Sequence, residues 1–184
     1  MVELGGIEKG LIAAALTFAV QWLLRPVAHR LNLLDYPTDR KDHAHPTPIT
    51  GGLAMVIGIL VTAWATLDIL DSAWIAFSLG AGLLIVVGLL DDKYDLPWWL
   101  RIGVQVIAAL IMALMGGVQV QHLGPVFGLG DIPLGALSVP FTVFATVGLI
   151  NAINMIDGAD GLAGSLVLAA LVMLVAACLY SGND

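Results

Sequence analysis

Apolar positions in this chain run in long blocks, and the polar positions are gathered between them. A membrane-spanning helix needs roughly 17–25 mostly apolar residues. Six runs approach or reach that length, some marginally: about Leu11–Leu24, Gly51–Leu67, Ala73–Leu90, Trp98–Met115, Leu137–Ile156 and Leu162–Tyr180. Lys9 and Arg25 bound the first and short run, and their long side chains can snorkel to lengthen it. That run has few positive charges before it, two arginines after it and no small-x-small cleavage site, so it reads as a retained helix and not as a signal peptide. Between the fourth and fifth runs, Gly and Pro flank the short apolar stretches "VQVQHL" and "PVFGL". That pattern predicts a short β-hairpin at 118–135. The expected fold is therefore all-α, a polytopic transmembrane helix bundle with about six spans and this one hairpin. It forms a single integral membrane domain over 1–184.

Composition agrees with the pattern. Hydrophobic residues make up 59% of the 184 and charged residues 11%, with a mean hydropathy of +0.96. A soluble domain is nearer half apolar and a quarter charged. The net charge of −7 argues against a nucleic-acid partner, which would call for a basic stripe. The one cysteine, Cys178, lies in an apolar run and excludes a disulfide within the chain.

Charge also sets the expected orientation. Arg25, Arg30, Arg40 and Lys41 follow the first run, and Lys93 and Arg101 follow the third. Six of the seven basic residues thus fall on one side of an alternating six-helix chain. By the positive-inside rule that side is the cytoplasm. Both termini are then outside, the hairpin is on the outer side, and the protein is a multi-pass membrane component.

The conspicuous polar residues collect in the three loops assigned to the cytoplasm. The second of these reads "LLDDKYDLP". If the helix runs one turn past Leu90, Asp91 and Asp95 are four apart and share a face, with Asp92 turned about 100° away. Adjacent carboxylates repel, so holding them together calls for a cation. A hard divalent ion suits oxygen ligands, and Mg²⁺ (with Mn²⁺ as its substitute) commonly arrives with phosphate. The plain alternative is a solvated acidic turn. The third loop reads "NAINMIDGADGLAG": Asn151, Asn154, Asp157 and Asp160 recur every three residues, and Gly158 and Gly161 follow the two aspartates. Amides suit uracil or sugar groups, and carboxylates suit metal or sugar hydroxyls. The plain alternative is capping and small-residue helix packing, although a cap needs one Asn or Asp and not four. The first loop contributes Arg40 and Lys41, which suit phosphate, beside His43 and His45. Two histidines are too few for a zinc site, and the basic pair also serves topology on its own. Together the loops fit Mg²⁺-dependent chemistry on a phosphorylated cytosolic substrate, with a lipid-borne second substrate.

On three motifs, "DYPTDRKDHAHPTPITGG" at 35–52, "LLDDKYDL" at 89–96 and "NAINMIDGADGLAG" at 151–164, the chain resembles the polyprenyl-phosphate N-acetylhexosamine-1-phosphate transferases of bacterial cell-envelope synthesis. Order and spacing agree over essentially the whole chain, and the wording is closer to the branch that transfers N-acetylglucosamine-1-phosphate. The resemblance implies transfer of that group from a UDP-N-acetylhexosamine to undecaprenyl phosphate within the bilayer. UMP is released, Mg²⁺ is needed, and the product feeds polymers such as lipopolysaccharide or teichoic acid. It implies catalytic roles for Asp91, Asp92, Asp157 and Asp160, with Asp91 as base or organiser of the lipid phosphate and Asp91 and Asp92 at the metal. Substrate contacts are implied for Arg40, Lys41, His43, Asp95, Asn151 and Asn154.

Family members are longer, and their later Gly-Asp and His-rich motifs are missing here. The chain is therefore expected to be an N-terminal portion, inactive or impaired alone. A homodimer is one assembly open to it. The competing readings are a transporter, which would want polar residues near mid-span, and a non-catalytic assembly subunit.

Overall fold

A computed structural model describes residues 5–31, 33–35, 47–66, 71–125, 128, 130–156 and 161–181. Six α-helices carry the architecture: α1 (Gly6–Leu31), α2 (Gly51–Thr66), α3 (Ser72–Tyr94), α4 (Trp98–Leu110), α5 (Ser138–Ile156) and α6 (Leu162–Ser181). A π-helical turn, Ile111–Met115, extends α4. Two two-stranded sheets complete the described residues: β1 (Leu34–Asp35) with β2 (Thr47–Pro48), and β3 (His122–Pro125) with β4 (Asp131–Pro133), both antiparallel. The hairpin expected at 118–135 is thus present as β3–β4. The β1–β2 pair was not expected.

Among the described residues, five helical stretches are long and apolar enough to cross a bilayer: Gly6–Arg30, Ser72–Tyr94, Trp98–Met115, Gly135–Ile156 and Leu162–Tyr180. The sixth, α2, has 16 residues. At 1.5 Å per residue it is about 24 Å long, short of a hydrocarbon core of about 30 Å. The chain is an all-α, multi-pass membrane protein. Its fully buried residues are small, including Ala28, Ala54, Ala76, Ala108 and Ala113, whereas Phe18, Phe144 and Leu114 face outward. In lipid, apolar bulk gains nothing by hiding from the solvent, and small residues let helix backbones approach.

The chain divides into two compact units, 1–143 and 144–184. Within the first, successive helices pack antiparallel, as paired positions show. Thr50 Oγ1 donates to Gln21 Oε1 (3.4 Å), and Gly58 packs against Ala13 and Thr17, which sets α2 on α1. Trp64 Nε1 donates to Ser78 Oγ (3.0 Å), and Gly52 approaches Ile85, which sets α3 on α2. Gly80 faces Ala108 and Gly116 faces Ala76, which sets α4 on α3. The start of α2, the end of α3 and the start of α4 therefore share one end of this unit. The other end carries the β3–β4 hairpin. It is fastened to the start of α5 by Ser138 Oγ, which donates to Val120 O (2.7 Å), and by Val120 N–H, which donates to Thr142 Oγ1 (2.8 Å).

Helix bounds differ from the apolar runs where polar residues extend a helix. α1 exceeds Leu11–Leu24 at both ends, through Glu8 and Lys9 on one side and His29 and Arg30 on the other. These residues are good or tolerable helix formers that need not lie in hydrocarbon. Acidic Glu8 near the N-terminus and basic Arg30 near the C-terminus also match the helix dipole. In the second unit, α6 begins after Gly161, whose φ of +76° suits glycine, and Ser165 N–H donates to Gly161 O (2.9 Å).

Candidate functional site

The helix runs past Leu90, as the second motif anticipates, and α3 ends at Tyr94. Asp95 is the first residue off it. Its φ of 51° and ψ of 67° are left-handed, and its N–H donates to Asp91 O (2.8 Å). That bond is the αL form of helix termination, which satisfies a carbonyl the helix leaves unpaired. Pro97 precedes α4 and has no N–H to continue α3. Its carbonyl accepts from Leu100 N–H (3.0 Å) and more weakly from Arg101 N–H (3.4 Å). The chain thus turns from α3 into α4 within three residues.

Asp91 organises this turn. Its Oδ1 accepts from Leu96 N–H (3.0 Å), and its Oδ2 accepts from Arg101 Nη1 (3.0 Å). The Asp91 side chain is 20% exposed and that of Arg101 39%. Asp92 and Asp95 are exposed. The helix was expected to carry Asp91 and Asp95 on one face; instead it ends at Tyr94, and Asp95 leaves it in a left-handed conformation. The Lys93 ammonium lies 5.5 Å from the centre of the Tyr94 ring. The cation that the adjacent carboxylates call for is, at Asp91, a guanidinium. The sequence reading counted Arg101 toward topology and missed it as a site residue. The available signal was an arginine in the first turn of a helix, where the dipole disfavours positive charge.

Asn151 and Asn154 lie on the last turns of α5, in the second unit. Asn151 Nδ2 donates to Val147 O (2.8 Å), one turn back along its own helix, and Asn154 is exposed. Arg40, Lys41, His43, Asp157 and Asp160 lie outside the described residues. The β1–β2 pairs, Leu34 with Pro48 and Asp35 with Thr47, bring together the two ends of the segment that holds Arg40, Lys41 and His43.

Residues 74–184 match the profile of glycosyl transferase family 4. The chain belongs to that family. Its expected membership among the polyprenyl-phosphate N-acetylhexosamine-1-phosphate transferases is borne out with it. A decaprenyl-phosphate N-acetylglucosaminephosphotransferase of Mycolicibacterium smegmatis is 34% identical over 181 residues, 94% of this chain and 44% of the relative. A probable undecaprenyl-phosphate N-acetylglucosaminyl 1-phosphate transferase of Bacillus subtilis is 34% identical over 161 residues, 88% of this chain and 45% of the relative. The undecaprenyl-phosphate alpha-N-acetylglucosaminyl 1-phosphate transferase of Escherichia coli is 34% identical over 142 residues, 77% of this chain and 38% of the relative. The chain spans less than half the length of these curated relatives. No solved structure matches it.

The region matched to glycosyl transferase family 4 holds the α3–α4 turn and the whole third motif, whereas Arg40, Lys41 and His43 precede it. Among the described residues, no three His, Cys, Asp or Glu side chains gather as a metal cluster. The donor set at the end of α3 nevertheless fits the way Mg²⁺ is usually held. One or two carboxylates suffice when phosphate oxygens and water complete the octahedron. Asp92 is an exposed carboxylate at a helix end. Asp91 retains lone pairs beyond its two hydrogen bonds, since a carboxylate accepts at about four sites. What the turn offers is a fixed, partly neutralised carboxylate beside an exposed one.

Proposed function

We propose that this protein transfers N-acetylglucosamine-1-phosphate from UDP-N-acetylglucosamine to undecaprenyl phosphate and releases UMP, in the synthesis of a cell-envelope polysaccharide. A phosphate oxygen of the lipid attacks the phosphorus that bears the sugar. A P–O bond forms there, the P–O bond to UMP breaks, and the product is the lipid diphospho-sugar. The observation that carries this reading is the Asp91–Asp92 pair at the hydrogen-bonded turn between α3 and α4, in a chain of glycosyl transferase family 4. The names of the relatives supply the sugar and the lipid class.

Asp91 receives the proton of the lipid phosphate or orients that group from its fixed position. Asp92, with Asp91, would hold Mg²⁺ or Mn²⁺ in its place, and such an ion would supply charge neutralisation at the phosphates. Asp157 and Asp160 serve catalysis in the third motif. Asn151 and Asn154 offer amides to the uracil or the sugar, and Arg40, Lys41 and His43 meet phosphate. Asp95 carries either a substrate contact or the turn alone. The loops bearing these groups face the cytoplasm, the N-terminus lies outside, and residues 1–184 act as a single membrane domain.

The test uses membranes that carry the protein, undecaprenyl phosphate, Mg²⁺ and UDP-N-acetylglucosamine labelled in the phosphate nearest the sugar. Label should enter the lipid fraction as UMP appears. Residues 1–184 alone are expected to transfer weakly or not at all; label that stays in the aqueous phase when a protein carrying these residues over the full length of its relatives is inserted would refute the reading. Label in the lipid from another UDP-sugar only would change the substrate and keep the reaction class.

A further inference from the structure

Arg101 stands where helix electrostatics oppose it. It lies in the first turn of α4, near the positive end of the helix dipole, so its charge needs a partner. The partner is Asp91 Oδ2, at 3.0 Å, on the last turn of α3, close to the negative end of that helix. A cation at the start of one helix and an anion at the end of another are each unfavourable alone. Facing each other, they cancel both defects. The pair therefore belongs to the joint between α3 and α4 and not to either helix.

Asp91 is tied at three points. Its carbonyl accepts from Asp95 N–H, its Oδ1 from Leu96 N–H and its Oδ2 from Arg101. The two bonds from the turn have backbone N–H donors, Asp95 to the Asp91 carbonyl and Leu96 to its carboxylate. They fix where Asp91 sits along the turn. Among the described residues, the bond from Arg101 is the one that ties the carboxylate to α4, and it couples the carboxylate's orientation to the neighbouring helix. Lys93 is nearer in sequence but lies against Tyr94. A charge-assisted bond to a carboxylate this sheltered is worth more than an exposed surface pair.

We infer that Arg101 is a positioning residue. It latches the start of α4 to the end of α3 and thereby holds the Asp91 carboxylate in the orientation that meets the lipid phosphate. The second half of this inference rests on the reaction proposed above; the latch itself does not. Arg101→Lys keeps the charge but loses the planar fork, Arg101→Ala loses both.

Two measurements on the intact protein test it. In a Cys178→Ser background, spin labels at Val86 and Ile107 report the spacing of α3 and α4 from lipid-facing positions. Arg101→Ala should broaden that distance distribution, and Arg101→Lys should largely restore it. An unchanged distribution in Arg101→Ala would overturn the latch. In the transfer assay, Arg101→Ala should raise KM for undecaprenyl phosphate about tenfold or more, the scale of one charge-assisted bond, with KM for the UDP-sugar unchanged and partial recovery in Arg101→Lys. A merely structural defect lowers the active fraction and leaves both KM values alone, and that result would overturn the positioning role. If a wild-type protein carrying these residues over the full length of its relatives transfers nothing, the reaction is wrong, and the spin-label measurement still decides whether the latch exists.

Discussion

Asp95 separates two accounts of the acidic motif. As a substrate contact its carboxylate is essential. As the residue that ends α3, what matters is its backbone at φ 51° and ψ 67°. Left-handed backbone is disfavoured for an L-residue by roughly 1–2 kcal/mol, less for Asp and Asn, and is free of that penalty for glycine. The turn account therefore ranks substitutions by conformation. Asp95→Gly and Asp95→Asn should keep transfer within about twofold of wild type, because both accept the left-handed region and both retain the N–H that donates to Asp91 O. Asp95→Ala should destabilise the end of α3 by about 1 kcal/mol, which is about fivefold in the opening of the turn. Since Leu96 N–H follows directly and donates to Asp91 Oδ1, that opening loosens Asp91 as well. Transfer rates and thermal unfolding in detergent, measured for the three variants together, distinguish the accounts. Should Asp95→Gly and Asp95→Asn fall with Asp95→Ala by orders of magnitude while unfolding is unchanged, the carboxylate touches substrate and the conformational reasoning is wrong.

Two further outcomes follow from other positions. At Gly58 an added Cβ would fall on the Thr17 hydroxyl and come within 2.9 Å of Ala13 O and Thr17 N. Gly58→Ala should thus destabilise the α1–α2 pair by about 1–3 kcal/mol in unfolding assays, whereas Gly82→Ala in α3, with nothing within 4 Å, should be neutral or gain up to about 1 kcal/mol of helix propensity. Asp92→Asn should raise the Mg²⁺ concentration that gives half-maximal transfer while leaving the spin-label distance between α3 and α4 at its wild-type value, because it is Asp91 that accepts from Leu96 N–H and from Arg101 across the turn.

How far each feature can be read from sequence depends on the range of the force behind it. The spans are legible because each needs a long apolar run, and a run is a local property. The β3–β4 hairpin is legible because glycine and proline punctuate it. The β1–β2 pair is not: two residues show no periodicity, and Pro48 speaks against a strand unless it lies at an edge. The ends of α1 are missed for a related reason, since hydropathy marks what lies in lipid and not where the backbone stops being helical. At the site, charge counting led to a sound demand, namely that adjacent carboxylates need a cation. It could not say which cation. That depended on Pro97 and the left-handed Asp95 folding α4 back against α3, a tertiary event that brings Arg101 to Asp91 across ten positions in the chain. Arg101 supplies that cation at Asp91, whereas Asp92 lies exposed at the end of the helix. A motif of two like residues thereby becomes a motif of two unlike ones: Asp91 fixed and partly neutralised, Asp92 exposed at the end of the helix. That asymmetry is why Arg101→Ala and Asp92→Asn are expected to move different quantities, the KM for the lipid in one case and the need for Mg²⁺ in the other.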